Sequence, residues 1–395
     1  MQLTVMLYVD PKAEQYISRK VNERTKGQYS LRFENLSINI FTQRISATSV
    51  FLTPEVLPDT VKKWRPDEME LFFPEVSIQG LGLWSALWDR KLVISKLKVD
   101  KPRIKLKRNS RTDANPAQYK KHINYYRALR GMFNAALIKN IDIEDGYLEL
   151  YRLLDEYNYV ATVESFDLRL NDVLLDSAVT GKDKGYVDIG SLSAKLSAFS
   201  QRNPDSTYLL SVGQIDISST GEYFHAKDIN VVPLQNLKED DIRQNIIYEV
   251  YVPDFHLDDI DIKHLYDTRS LKIPQVKVSS AAIKLMGYNL EDSARSNLQE
   301  VNFYPLISEY VKTLHLDKIL LDDAKLDIVN TKNGSRANLE KVDIFLYGFK
   351  MDSSLLLSRE KLFYSDRVFL KVKENNPLLL ESIDMGEEFI GRLSR

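Results

Sequence analysis

The chain has 395 residues, of which 54 are Lys or Arg and 56 are Asp or Glu, so its formal net charge is -2. This balance excludes a global field that would draw the protein to nucleic acid or to a strongly charged partner. A hydrophobic content of 44% excludes wholesale disorder. The absence of cysteine excludes disulfide bonds and thiolate chemistry. No apolar run approaches the ~20 residues that a membrane-spanning helix needs.

The N-terminal segment combines an apolar start with a helix pattern. Residues 1–8 are mostly apolar and fit a first strand and the end of an anchor helix equally well. Residues 11–26 are predicted to form a helix, with Asp10 as the N-cap, Pro11 in the first turn and Gly27 just past the end. A narrow apolar stripe indicates that this helix packs on the end of a sheet.

A pattern of thirteen residues, which we call the long template, occurs at residues 94–106, 138–150, 273–285 and 316–328. Its positions one, four, six, eleven and thirteen are apolar, which is strand spacing interrupted by a corner. Position nine holds a small or turn-forming residue, namely Pro102, Gly146, Ala281 and Ala324. Four aligned copies that agree at the bend indicate a degenerate internal repeat.

A second pattern, the short template, has apolar residues at positions one, four, six and eight. It occurs at residues 33–40, 163–170, 189–196 and 339–346, and its first three apolar positions recur at residues 73–80 and 252–259. The two templates alternate along much of the chain. This alternation is typical of antiparallel hairpins stacked side by side.

The predicted fold is therefore mainly β: an elongated, curled antiparallel sheet of repeated hairpins that forms an apolar groove, with a few short amphipathic helices. Residues 1–135 would hold the helices and the first repeat, and residues 136–395 would continue the β-groove within one architecture. Two further helices are predicted, at residues 80–92 and 115–137. Packing on the sheet is favoured for both, although the Tyr-rich, basic composition of the second also suits a membrane interface.

Catalytic chemistry finds little support in the sequence. The chain has no nucleophile elbow, metalloprotease motif, phosphate-binding loop or dinucleotide fingerprint. Among the five histidines, His256 and His264 are close in sequence and lie among aspartates, a chemically acceptable metal-ligand set. Strict alternation with apolar residues favours a solvated strand face instead. We therefore predict no enzyme activity, no metal and no cofactor.

A run of basic residues covers the first long template and the following segment. Anionic lipid headgroups or phosphate backbones would be attracted to it. Its first members occupy the outward positions of a strand, where charge keeps a sheet soluble, so a solvated face is favoured. Nucleic acid is not expected, because base-stacking motifs are absent. The run comprises Lys96, Lys98, Lys101, Arg103, Lys105, Lys107, Arg108, Arg111, Lys120, Lys121, Arg127 and Arg130.

The inward positions of the long template are the candidate binding residues. A sheet of alternating sequence must cover one face, and this chain offers few helices to do so. If the sheet curls, these residues line an apolar trough that suits lipid acyl chains. They are Leu97, Val99, Ile104, Leu106, Ile141, Ile143, Leu148, Leu150, Val276, Val278, Ile283, Leu285, Ile319, Leu321, Leu326 and Ile328.

The order of these features resembles the AsmA-like family of bacterial envelope proteins, relatives of TamB and YhdP. The matching stretches are residues 9–41, 81–108, 138–152 and 316–329, in which Thr25, Gly27, Trp84, Lys91 and Pro102 stand where the family pattern places them. The resemblance implies a groove-shaped β-sheet in the periplasm that carries phospholipid. It also implies attachment to the inner membrane, here through a segment absent from this chain.

The expected function is non-enzymatic binding or transfer of lipid in the bacterial envelope, with phospholipid acyl chains in the apolar groove. Expected partners are phospholipid or another acyl lipid, the inner membrane and possible envelope proteins, but not nucleic acid. The alternative is a repeat scaffold or assembly factor for envelope or outer-membrane proteins, which would use sheet edges for partner contacts. A metal-dependent hydrolase at His256 and His264 is the remaining hypothesis.

Overall fold

A computed structural model describes most of the chain as two compact units, Met1–Ser197 (unit 1) and Ala198–Arg395 (unit 2). The described residues are 7–8, 11–25, 27–39, 42–55, 68–82, 91–109, 135–153, 157–176, 187–202, 208–234, 247–287, 311–353, 365–373 and 383–384. Most of them lie in strands, so the predicted mainly β fold with few short helices is confirmed. The predicted division of the chain into residues 1–135 and residues 136–395 stays a prediction.

Unit 1 contains one described helix and a series of strands. Its elements are β1 (Leu7–Tyr8), α1 (Pro11–Arg24), β2 (Tyr29–Arg32), β3 (Asn35–Asn39), β4 (Arg44–Pro54), β5 (Glu68–Leu81), β6 (Lys91–Asp100), β7 (Arg103–Asn109), β8 (Ala135–Leu153) and β9 (Tyr157–Asp176). The following strand, β10 (Val187–Arg202), spans the boundary between the units.

Unit 2 has a similar order of elements. These are β11 (Tyr208–Ser218), β12 (Tyr223–Pro233), β13 (Ile247–Leu257), α2 (Ile262–Thr268), β14 (Ser270–Ser279), β15 (Ala282–Gly287), β16 (Thr313–Asn330), β17 (Arg336–Met351), β18 (Arg367–Val372) and β19 (Ile383–Asp384).

The helix predicted at residues 11–26 is confirmed as α1, which lies along the edge of β2. Ser18 Oγ donates to the carbonyl oxygen of Leu31 at 2.5 Å, and Asn22 Nδ2 donates to that of Tyr29 at 3.4 Å. Side chains of the helix thus satisfy carbonyl groups on the edge of β2 that is not paired with another described strand. The predicted helix at 80–92 lies mostly outside the described residues, as do residues 115–134 of the other one. Ala135 begins strand β8, so the end of that prediction was wrong.

The sheet is mixed, and the prediction of a purely antiparallel sheet was wrong. Strands β6 and β7 both pair in parallel with β8, and β14 and β15 pair in parallel with β16. The other pairings, those of β10 apart, are antiparallel. Parallel neighbours need a connection of about a dozen residues or more, and residues 110–134 and 288–312 provide that length. Two copies of the long template therefore lie side by side in each unit rather than facing each other in a hairpin.

The parallel pairs confirm the long template, because its copies are aligned in register. Ile94 lies opposite Ile138, and Ile273 lies opposite Leu316, so position one faces position one. The match continues to position thirteen, where Leu106 lies opposite Leu150. The copies of the long template therefore occupy matching positions on neighbouring strands.

The bend of the long template is one residue earlier than the sequence pattern indicated. In all four copies position eight has a positive φ, with values of 48° to 58° at Lys101, Asp145, Ser280 and Asp323. In β8 and β16 the pairing with the next strand is shifted at this point, which marks a β-bulge. The bend thus comes from a left-handed residue, and the small residue at position nine follows it.

The two units also repeat one another. Tyr29 pairs with Pro54 across β2 and β4, and Tyr208 pairs with Pro233 across β11 and β12, an offset of 179 residues. The Tyr29 hydroxyl accepts a hydrogen bond from the backbone N of Met69, and the Tyr208 hydroxyl accepts one from that of Tyr248, both at 3.2 Å. The chain is therefore an internal duplication in register, strand pairing and local hydrogen bonding.

The two tyrosine hydroxyls predict unequal contributions to stability. Tyr208 is 3% exposed and Tyr248 is 5% exposed, so Tyr208→Phe deprives a buried N–H of this acceptor. We expect the free energy of unfolding to fall by about 1–3 kcal/mol. Tyr29→Phe removes the matching bond at a half-buried site, where water replaces it, and should cost less. Urea denaturation followed by circular dichroism measures both, and equal losses would contradict the role of burial.

Candidate functional site

The apolar face of unit 1 is built from rows of side chains that run across neighbouring strands. One row contains Ile38, Ile45, Ile78, Leu97, Ile141 and Leu170. The next contains Leu36, Ala47, Val76, Val99, Ile143 and Leu168.

Beyond the bend, a third row contains Leu31, Leu52, Leu71, Ile104, Leu148 and Val163. A shorter fourth row contains Met69, Leu106, Leu150 and Ala161. The eight candidate residues of unit 1 therefore lie together on one face, and their role as the lining of a lipid groove stays a prediction.

Most of this apolar face is accessible to solvent. Of the residues in the four rows, only Val99, Val163 and Ala161 are buried, and the others are half-buried. The opposite, polar face also contains buried side chains, since Ser77 is 4% exposed and Asp142 is 8% exposed. Burial therefore does not separate the two faces, and the apolar face keeps most of its aliphatic groups partly open to solvent.

The polar face is covered by its own long charged side chains. Lys96 Nζ lies 2.6 Å from Asp142 Oδ2, and Arg169 Nε lies 3.1 Å from Asp142 Oδ1. Lys98 Nζ lies 2.7 Å from Glu144 Oε2. The alkyl stems of such side chains lie over the strand while their ends form ion pairs. Within the described residues, ion pairs between neighbouring strands thus cover part of this face.

The ion pairs also set the protonation states of this face. Burial by itself raises the pKa of Asp142, but hydrogen bonds from Lys96 and Arg169 outweigh it and hold the pKa below its usual value. The hydrogen bond to Glu144 raises the pKa of Lys98. Within the basic run, Lys105 and Lys107 also lie near carboxylates, those of Glu149 and Glu70. Much of the described part of the run is therefore neutralised within the sheet.

The matched residues of unit 2 are more deeply buried. Val276, Val278, Leu285 and Leu326 belong to its two hydrophobic clusters, whereas Ile283, Ile319, Leu321 and Ile328 are half-buried beside them. One cluster includes Ile260, and Ile262 at the start of α2 packs against it. The face of unit 2 thus has aliphatic residues at the same template positions, and more of them are buried.

The structure does not place the two histidines singled out from sequence on one element. His256 is in β13, while His264 is in α2, where its backbone N donates to Asp261 Oδ1 at 2.7 Å. The neighbour of His256 is His225 of β12, with ring centroids 5.0 Å apart. Sequence spacing could not reveal this neighbour, because the pairing of β12 with β13 creates it.

An acidic cluster in unit 2 was also missed from the sequence. One oxygen each of Asp322, Asp323 and Asp343 lie within 4.8 Å of one another. Lys373 Nζ contacts all three carboxylates at 2.7 to 2.9 Å, and Lys277 Nζ contacts Asp322 at 2.8 Å. These hydrogen bonds raise the pKa of Lys373 and lower that of Asp322. The cluster is thus an ion-pair network with an ammonium group at its centre.

No family model matches the chain, and no curated protein matches its sequence. Within the described residues, no helix is both long enough and apolar enough to cross a membrane. The geometry of the apolar face is therefore the principal basis for a functional proposal.

The acidic cluster predicts a pH-dependent effect of Lys373→Met. The lowered pKa of Asp322 stabilises the fold above the pKa of the unfolded chain, about 3.9, and this contribution disappears as the pH falls through the lower folded value. Removing Lys373 should therefore destabilise unit 2 at pH 7 and less so at pH 3, where protonation begins to relieve repulsion among the carboxylates. Because the pKa of Asp322 in the fold is well below its usual value, most of its contribution disappears only at a still lower pH.

Urea midpoints of the wild type and of Lys373→Met at the two pH values test this prediction. Lys332→Met, which alters an exposed lysine between β16 and β17, is the control and should have little effect at either pH. An equal loss for Lys373→Met at pH 7 and pH 3 would contradict the assignment.

Proposed function

We propose that this protein is a non-enzymatic lipid-binding or lipid-transfer protein that holds phospholipid acyl chains against its apolar sheet face. The observation that carries the proposal is the apolar face of unit 1. It is aliphatic across six strands, and most of its residues are half-buried rather than buried. Contiguous apolar surface of this kind marks a binding site for an apolar partner.

The size of the face suits an acyl chain. Six strands at a spacing of about 4.8 Å give a row roughly 24 Å long. An acyl chain spans about half of the ~30 Å hydrocarbon core of a bilayer. A row is therefore long enough for a whole acyl chain. Each methylene group that is buried against the row contributes about 0.8 kcal/mol to the binding free energy.

The two faces suit different parts of a phospholipid, the apolar face its acyl chains and the polar face its headgroup. The rows of unit 1 offer no charged side chain, whereas the opposite face is occupied by Lys96, Lys98, Asp142 and their partners. Acyl chains would lie on the rows, and the headgroup would stay at the polar rim. The proposal includes membership of the AsmA-like family, and with it a periplasmic location attached to the inner membrane, on the strength of the sequence resemblance alone.

The first experiment is mass spectrometry of organic extracts from protein purified without detergent, with an unrelated soluble protein from the same cells as the control. Stoichiometric phospholipid in the extract supports the proposal. A clean extract would overturn it and favour the repeat scaffold, which predicts a dry face and a stoichiometric protein partner in crosslinking.

A charged residue in the middle of the face should abolish binding. Ile143→Glu combined with Leu148→Glu should lower the bound lipid at least about tenfold, because burying a carboxylate against an acyl chain costs more than the ~1.4 kcal/mol that a factor of ten represents. Asn140→Glu adds one such charge at an exposed position of the same strand and should leave the lipid content unchanged. Circular dichroism checks that all variants fold, and unchanged lipid in the double variant would refute the site.

The duplication predicts a second, weaker effect in unit 2. Ile143 and Leu321 both occupy position six of the long template and both are half-buried. If each unit binds lipid on its own face, Ile143→Glu and Leu321→Glu should each remove part of the bound lipid and the two together should remove all of it. Native mass spectrometry counts the lipids. Complete loss of bound lipid in either single variant would show that the two faces do not bind lipid independently.

A further inference from the structure

The polar face of unit 2 carries three residues with metal-ligating side chains in one row across three strands. Asp216 of β11 lies opposite His225 of β12, which lies opposite His256 of β13. The two imidazole rings are 5.0 Å apart between centroids, at an interplanar angle of 75°. We propose that this row is a binding site for a divalent transition-metal cation of the Zn²⁺ class.

Each imidazole already has a carboxylate partner on one nitrogen. His225 Nε2 is hydrogen-bonded to Asp254 Oδ1 at 2.5 Å, and His256 Nε2 to Asp258 Oδ1 at 2.8 Å. Metal-bound histidines commonly donate their other N–H to a carboxylate, which fixes the tautomer and the ring orientation. With Nε2 protonated and bonded in this way, Nδ1 of each ring is the free donor for a metal.

The third donor is an oxygen atom without a partner. Asp216 Oδ2 accepts a hydrogen bond from Gln214 Nε2 at 2.6 Å. Asp216 Oδ1 is buried and has no hydrogen-bond partner within the described residues. A buried carboxylate oxygen without a partner is costly, and a bound cation removes that cost. Two imidazoles and one carboxylate form a familiar three-ligand set for Zn²⁺, with water in the fourth position.

The strand geometry allows one ion to bridge the rings. Directly opposite residues of antiparallel strands have Cβ atoms about 4.5–5.5 Å apart, and Zn–N bonds are about 2.0–2.1 Å long. The donor atoms of Asp216, His225 and His256 are not gathered as closely as those of the acidic cluster. The side chains of His225 and His256 are 24% and 43% exposed, so both rings have room to turn toward a shared ion.

Unit 1 shows that the fold itself does not require these residues. The matched row there is Ser37 opposite Ser46, which lies opposite Ser77, with the same strand pairing. Serine therefore suffices at all three positions for the architecture. The replacement of all three by Asp, His and His in unit 2 concentrates metal ligands at one point of the duplicated motif.

The acidic cluster of Asp322, Asp323 and Asp343 is not an equivalent site. The Lys373 ammonium group already contacts all three carboxylates, and it occupies the position that a cation would need.

The experiment is a titration of the purified full chain with Zn²⁺ alone, by isothermal calorimetry, with Co²⁺ absorption as a second readout of tetrahedral nitrogen and oxygen ligation. We expect one bound ion. His225→Ser, His256→Ser and Asp216→Ser, which introduce the serines of unit 1, should each weaken binding at least about tenfold, and Asp254→Asn by about tenfold as a supporting partner. His315→Ser, which alters a histidine of another strand, should not change it.

Absence of binding to the wild type would overturn the inference, as would binding unchanged in His225→Ser and His256→Ser. Binding lost in Asp323→Asn but retained in the histidine variants would place the ion at the acidic cluster and also overturn it. The three serine variants are expected to fold, because unit 1 is built with serine at those positions. None of these outcomes depends on lipid.

Discussion

The organisation of both units depends on the left-handed residue at position eight of the long template. Positions four and six are separated from eleven and thirteen by an odd number of residues, so an uninterrupted strand would place the two groups on opposite faces. The bulge at position eight adds one residue and returns Leu148 and Leu150 to the face of Ile141 and Ile143. Because all four copies bend at the same position, their apolar residues stay in continuous rows across neighbouring strands.

A single sheet with two unlike faces follows from this constraint. The polar face of unit 1 closes itself with ion pairs between neighbouring strands, such as those of Lys96 and Arg169 with Asp142. Aliphatic side chains cannot form such ion pairs, and most of those in the four rows are half-buried rather than buried. The lipid proposal is thus a consequence of how each face is covered, rather than of any reactive group.

Duplication and divergence explain the differences between the units. Both retain the tyrosine that accepts a backbone hydrogen bond, the paired Tyr and Pro, and the Lys–carboxylate contact between parallel strands, formed by Lys98 with Glu144 and by Lys277 with Asp322. Unit 2 also has Lys373 at the centre of an acidic cluster, and it has Asp216, His225 and His256 where unit 1 has three serines. Features shared by both units maintain the architecture, whereas features found in one unit alone are the places to look for separate roles.

The sequence by itself determined the mainly β fold, the four copies of the long template, helix α1 and the membership of the apolar face, because period-two spacing and helix-capping signals are local. Only the tertiary structure decided that the copies lie in parallel, since the alternation of apolar residues is the same for parallel and antiparallel neighbours. It also decided that His225 rather than His264 stands beside His256, and that Lys373 joins three aspartates. Those contacts connect residues far apart in the chain, and strand register, which no local pattern encodes, brings them together.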